Sequence, residues 1–247
     1  MDDSLEIDWI RPKCSINRPL LGITILLVED SRYCSEAMRL LSIRSGARLR
    51  RADSLQAARR HLRIYRPDVV LVDLGLPDGS GLELIEEIAK TPVPISAIIA
   101  TSGSANGDEA LKAGAAYFMA KPIVDLAGFQ QTLLAALPDE MKPSGFVPRL
   151  AGSCVRPDAQ AMKDDLEHID VVLKDCLRDK DCDTFAYIIQ FLDSLGRDAN
   201  SKRIMHATTI LRDLAKEDRF SGDAVQQEFI NIHKAVDGRL SQSAQVN

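Results

Sequence analysis

Residues 23–30 read ITILLVED and residues 68–73 read DVVLVD. Each is an apolar run that closes on carboxylates, Glu29 and Asp30 after the first and Asp73 after the second. A third run, AAYFMA at 115–120, leads into Lys121 and Pro122. The first run is apolar almost throughout, which suits a strand covered on both faces. Strands of a parallel sheet that end on polar residues present them along one carboxyl edge, and open α/β sheets use that edge for chemistry.

Working outward, strand-like runs occur at 23–28, 47–52, 68–72, 95–100 and 116–119. Helical patterns lie between them at 34–44, 54–64, 80–89, 106–113 and 124–136. This alternation predicts a doubly wound parallel sheet. Asp53 or Ser54 can cap the second helix, and Gly46 and Gly114 each stand just past a helix, where positive φ is often required.

The rest of the chain divides by composition. Residues 1–22 read as an irregular arm in which Ile7, Trp9 and Ile10 could pack. Residues 138–157 carry Pro138, Pro143, Pro148 and Pro157 and read as a linker, with Phe146, Val147, Leu150 and Val155 able to dock. Over 158–240 apolar residues recur at spacings of three and four, for example Leu166, Ile169 and Leu173, then Phe185, Ile188 and Leu192. Helices are expected at 159–178, 182–195, 199–217 and 222–240, with Asp158 and Asp181 as caps, giving a four-helix bundle and a tail at 241–247.

Bulk numbers exclude several classes. Net charge is -5 and aromatics are 5%, so neither a general basic footprint nor a stacking platform is present. Over 156–247, 13 Lys and Arg face 17 Asp and Glu, which disfavours nucleic acid as the partner of the bundle. The five cysteines are irregularly spaced and read as free thiols in a reducing compartment. No run approaches the ~20 apolar residues of a membrane span. The acidic start, MDDSLEID, is unlike a secretory leader, so the expected location is the cytoplasm, away from membranes.

Glu29, Asp30 and Asp73 supply hard oxygen donors for Mg²⁺ or Mn²⁺. A carboxylate such as Asp73 can act as a nucleophile and become an aspartyl phosphate. Lys121 can pair with Asp73 at rest and with a phosphoryl oxygen afterwards, and a hydroxyl from Thr101 or Ser102 can donate to another.

With these residues in place, residues 24–137 resemble the receiver domain of bacterial two-component response regulators. LLVEDS carries the acidic pair, VLVDLGLPDGSGLELI the phospho-acceptor Asp73 with the Pro77-Asp78-Gly79 turn, and GAAYFMAKP the lysine. The resemblance implies a flavodoxin-like sheet in order 2-1-3-4-5 and a Mg²⁺ site completed by the Gly75 carbonyl. It also implies a switch aromatic at Phe118 and a cis peptide at Pro122. The implied donor is a cognate histidine kinase or a histidine phosphotransfer protein. Two departures stand out: Glu29 replaces the commoner aspartate, and TSGSANGDEALKAGAAYF is about two residues short before Gly114. The second makes the output surface atypical.

The bundle lacks a basic recognition helix. Its run AYIIQFLDSLG at 186–196 resembles the phosphorylated helix of histidine phosphotransfer domains, with Tyr187 at the histidine position, Gln190 at the lysine and Phe191 at a small residue. A phenol there cannot relay a phosphoryl group as an imidazole does. The expected function is therefore a phosphorylation-switched regulator of protein–protein interactions, with homodimerisation as one outcome and no enzymatic output beyond the receiver's own phosphoryl chemistry. The competing readings are a DNA-binding transcriptional regulator and a relay protein with an active histidine such as His206.

Overall fold

A computed structural model describes residues 14–15, 17–103, 107–143, 153–216 and 222–244. Ile7, Trp9, Ile10, Phe146, Val147 and Leu150 lie outside them. The first part alternates β1 (Thr24–Val28), α1 (Arg32–Ser45), β2 (Arg48–Ala52), α2 (Leu55–Ile64), β3 (Val69–Asp73), α3 (Gly81–Ala89), β4 (Ala97–Ser102), α4 (Gly107–Ala113), β5 (Tyr117–Ala120) and α5 (Leu126–Ala136). The strands pair in parallel in the order β2-β1-β3-β4-β5.

Period-two alternation sends successive side chains to opposite faces of the sheet. Ile25, Leu27, Val69 and Leu71 pack with Met38, Leu41, Phe129 and Leu133 on one side. Leu26, Val28, Val70 and Val72 pack with Leu55, Leu84, Ile85 and Ala110 on the other. The edge strand β2 reads RLRRA, and exposed Arg48 and Arg50 blunt its free edge.

Local chemistry sets the joints. Ser54 caps α2, accepting from the Ala57 N–H. Asp78 reaches the same end from a two-rung hairpin (Gly75–Leu76 with Gly79–Ser80), accepting from the Leu55 and Gln56 N–H groups at 2.8 and 2.9 Å. Gly46 closes α1 at φ 88°. The linker's far end is docked: the Val155 N–H donates to the Val124 carbonyl at 2.8 Å, and the Val155 side chain is buried in the core.

The second part is all-α among the described residues: α6 (Ala159–Asp179), α7 (Cys182–Asp198), α8 (Lys202–Lys216) and α9 (Gly222–Ala244). Asp158 and Asp181 cap α6 and α7 through side-chain oxygens. Residues 199–201, expected to open a helix, form the turn before it, with Asn200 at φ 48°. Leu166, Ile169, Phe185, Ile188, Ile204 and Ile232 fill the bundle core, and Tyr33 of α1 joins it. The bundle is therefore packed on the sheet domain. Among the described residues no helix is long and apolar enough to cross a membrane, and all five cysteines are free.

Candidate functional site

Sheet register assembles the site. Asp73 at the end of β3 is the Cα partner of Thr101 on β4, and Ser102 is the partner of Ala120, the residue before Lys121. Glu29 and Asp30 follow β1, which pairs with β3 through Val28 and Val72. The Lys121 ammonium lies 2.8 Å from Glu29 Oε2 and 3.1 Å from Asp73 Oδ2, and all three side chains are buried. Glu29, Asp30 and Asp73 each offer an oxygen within 4.8 Å of the others. The Lys121–Pro122 peptide is cis.

Electrostatics follow from three carboxylates sharing one ammonium out of water. Burial pushes Asp73 up to about 6, while Lys121 pulls it down and Glu29 pushes it up. Asp30 is held well above the usual carboxylate range by burial, then by Glu29 and Asp73. Burial opposes the charge on Lys121, but Asp73, Cys34 and Glu29 outweigh it and keep the ammonium protonated. The surplus of negative charge and the hard oxygen donors fit a divalent cation. The Thr101 hydroxyl is fully buried and has no hydrogen-bond partner among the described residues, a polar atom left ready for an incoming acceptor.

The bundle covers this edge. The Tyr187 hydroxyl donates to Asp30 Oδ2 at 2.8 Å, and Lys121 donates to Ser194 Oγ at 3.4 Å. A Cβ built on Gly75 would collide with the Gln190 amide. Asp165 of α6 anchors the covering. Its carboxylate accepts from Ser31 Oγ at 2.9 Å, the Arg32 N–H at 2.8 Å and the Tyr33 N–H at 3.1 Å, so one domain caps the first helix of the other. What remains over Asp73 is a cavity of about 50 Å³ between the sheet edge and α7.

The structure thus brings together Glu29, Asp30, Asp73, Gly75, Thr101, Ser102 and Lys121. Phe118 stands apart on β5, half-buried against Gly107. Sequence reasoning missed Asp165, Ser194 and Asp198. Asp198 is buried on α7 with neither oxygen partnered at full hydrogen-bonding geometry among the described residues; burial pushes it up to about 7, against Lys121. Nothing in the local pattern separates Asp165 from neighbouring Asp164, which is half-buried and pairs with Arg32.

Residues 25–133 match the family model described as the response regulator receiver domain. The KDP operon transcriptional regulatory protein KdpE of Escherichia coli is 33% identical over 99 residues, 40% of this chain and 44% of that protein. The response regulator protein PilR of Pseudomonas aeruginosa is 34% identical over 114 residues, 45% of this chain and 25% of that protein. The chain therefore spans less than half the length of these curated relatives. Among solved structures, a CheY-like receiver domain from Methylobacillus flagellatus is 30% identical, covering 46% of this chain and 98% of that one at a TM-score of 0.43. The receiver domain of sensor histidine kinase PA1611 from P. aeruginosa, solved with a magnesium ion in its active-site cleft, is 26% identical, covering 46% and 95% at 0.42. Residues 25–133 form a receiver-type domain, a signalling module built around a phospho-accepting aspartate.

Proposed function

We propose that this chain is a response regulator whose receiver takes a phosphoryl group on Asp73 from a phosphohistidine donor, and whose helical bundle is the protein-interaction element that phosphorylation switches. The observation that carries this reading is the convergence of Asp73, Glu29, Asp30, Lys121 and the orphaned Thr101 hydroxyl on one sheet edge, directly beneath α7.

The residues have distinct parts. Asp73 attacks phosphorus through a carboxylate oxygen, and the donor's imidazole nitrogen leaves. Glu29, Asp30 and Asp73, with the Gly75 carbonyl, would hold Mg²⁺. When bound, that ion neutralises the attacking carboxylate and the phosphoryl oxygens. Lys121 holds one phosphoryl oxygen and Thr101 a second, with Ser102 the rival hydroxyl. A donor protein cannot reach Asp73 past Tyr187, Gln190 and Ser194, so uptake requires α7 to lift. Tyr187 standing over the acidic site supports reading the bundle as a phosphotransfer-like domain without its histidine, a docking element in place of a relay. The name of the KdpE relative describes a transcriptional regulator. The family match ends at residue 133, so that output is not carried over to the acidic bundle.

Intact-mass measurement with a small phosphodonor tests the chemistry. The wild type should gain one phosphoryl group in the presence of Mg²⁺ and lose the gain on chelation, and Asp73→Asn should take none. Equal labelling of Asp73→Asn would place the acceptor elsewhere.

A further inference from the structure

We propose that the docked bundle carries a phosphatase function for its own receiver: Gln190 of α7 orients a water for in-line attack on the phosphoryl group of Asp73. This rests on Asp73 being the phospho-acceptor.

The geometry is specific to Gln190. The cavity over Asp73 is walled on one side by the sheet edge and on the other by α7, with Gln190 and Asp73 both lining it. A phosphoryl group on Asp73 enters this cavity with its leaving oxygen on the sheet side, so an in-line nucleophile must come from the α7 side. The other polar residues of that face are engaged at rest: Tyr187 by Asp30, Ser194 by Lys121, and Asp193, which also lines the cavity, by Arg197 and Arg212. The Gln190 amide lies against Gly75, two residues from the acceptor, and has no hydrogen-bond partner among the described residues. Gln190 is also exposed, so it stands where solvent meets the cavity.

A carboxamide suits the task. Its carbonyl accepts a hydrogen bond from water and turns a lone pair toward phosphorus. Its NH₂ donates to a phosphoryl oxygen, and being neutral it does not repel the anion. Phosphoryl transfer needs little from a protein beyond such positioning and charge stabilisation. The cavity, about 50 Å³, holds roughly three or four water-sized groups, enough for the phosphoryl oxygens with the attacking water at the mouth. A donor protein is excluded while water is admitted. In the step, the water oxygen bonds to phosphorus and the bond from phosphorus to the Asp73 oxygen breaks, its electron pair returning to the carboxylate. The water's protons leave with inorganic phosphate and solvent. Gln190 is a positioning residue.

The test follows the lifetime of the phosphoryl group on the full chain. Protein labelled by a small phosphodonor is freed of donor, and its mass is followed over time for the wild type, Gln190→Ala, the isosteric Gln190→Glu and the undocking variant Asp165→Ala. Affinity for a phosphoryl analogue is measured in parallel. Both Gln190 variants should lengthen the lifetime about ten- to hundredfold, while Gln190→Ala leaves compactness unchanged and lowers analogue affinity by less than it lengthens the lifetime. Asp165→Ala should lengthen it as well, and adding Gln190→Ala to it should change nothing further. Were the bundle only a plug that shields the phosphoryl group, undocking would shorten the lifetime, and that result overturns the proposal. So does a Gln190→Ala lifetime within twofold of the wild type. Failure of both the wild type and Gln190→Ala to take any label would remove the Asp73 reading itself and this inference with it.

Discussion

Replacing Asp165 with alanine should release the bundle from the receiver. The carboxylate is buried and accepts three hydrogen bonds across the domain boundary, two of them from backbone N–H groups at the start of α1. Hydrogen bonds to a charged group contribute about 1.5–3 kcal/mol each. Burial of the charge offsets much of that sum, as the raised pKa of Asp165 attests, with the three donors pulling the other way. A net loss of about 2–4 kcal/mol is therefore expected, a 30- to 1,000-fold fall in the docking equilibrium. In the open form the freed N–H groups are hydrated, and Ser31 still caps α1 by accepting from the Cys34 N–H, so the receiver itself stays folded. The assay is the rate at which Asp73 is labelled under conditions where the closed form dominates. That rate tracks the open population, so it should rise by the same factor until opening ceases to limit it. Asp165→Asn keeps one acceptor oxygen and should fall between. A rate change under about threefold for Asp165→Ala, with scattering that shows the domains still together, would refute the reasoning.

Asp198 gives a prediction with a pH sign. Its folded-state pKa is raised to about 7 by burial, so the stability linked to its protonated form is complete below about pH 4 and is lost as pH rises through about 7. Asp198→Asn removes that dependence and should stabilise the chain by up to about 4 kcal/mol above pH 7 and by nothing below pH 4; equal denaturation midpoints for the two proteins at pH 8 would count against it. Thr101→Val removes a buried hydroxyl that has no partner among the described residues at rest. It should keep or raise thermal stability, by about 1 kcal/mol at most, yet weaken binding of a phosphoryl analogue about tenfold. If Ser102→Ala weakens the analogue and Thr101→Val does not, the phosphoryl hydroxyl is Ser102.

How much of this was legible in the chain depends on the range of the interaction. The sheet and its order follow from apolar runs and helical periods that are local, and β1 through β5 fall close to the expected positions. The acidic pair, Asp73 and Lys121 were legible because each follows a strand of one parallel sheet, so strand direction alone sends them to one edge. The hairpin after Asp73 was legible only as a turn, and its second task, Asp78 holding the start of α2, is a contact over 23 residues that no local pattern encodes. The docking of the bundle was the least legible. Asp165 lies 132 residues from Tyr33, and Tyr187 lies 157 from Asp30. A helix register shows which residues share a face, not which surface that face will meet. Gln190 is the sharpest case: the helical pattern placed it beside Phe191, but only the fold shows its amide against Gly75.

The covering face and the phosphoryl chemistry draw on the same atoms. Tyr187 holds Asp30, which a metal needs, and Ser194 accepts from Lys121, which a phosphoryl oxygen needs. Under the proposed function the two uses are mutually exclusive at those contacts, so each lowers the apparent affinity of the other by the same factor. The exclusion is partial, because Asp165 anchors α6 through the start of α1 and shares no atom with the phosphoryl group. A phosphoryl group on Asp73 can therefore loosen the α7 face while the Asp165 anchor still favours return. If the anchor draws α7 back over a phosphorylated Asp73, Gln190 meets the phosphoryl group from the one side open to water. The competition at Asp30 and Lys121 then sets how long the open form lasts, and the anchor sets how often the site is cleared.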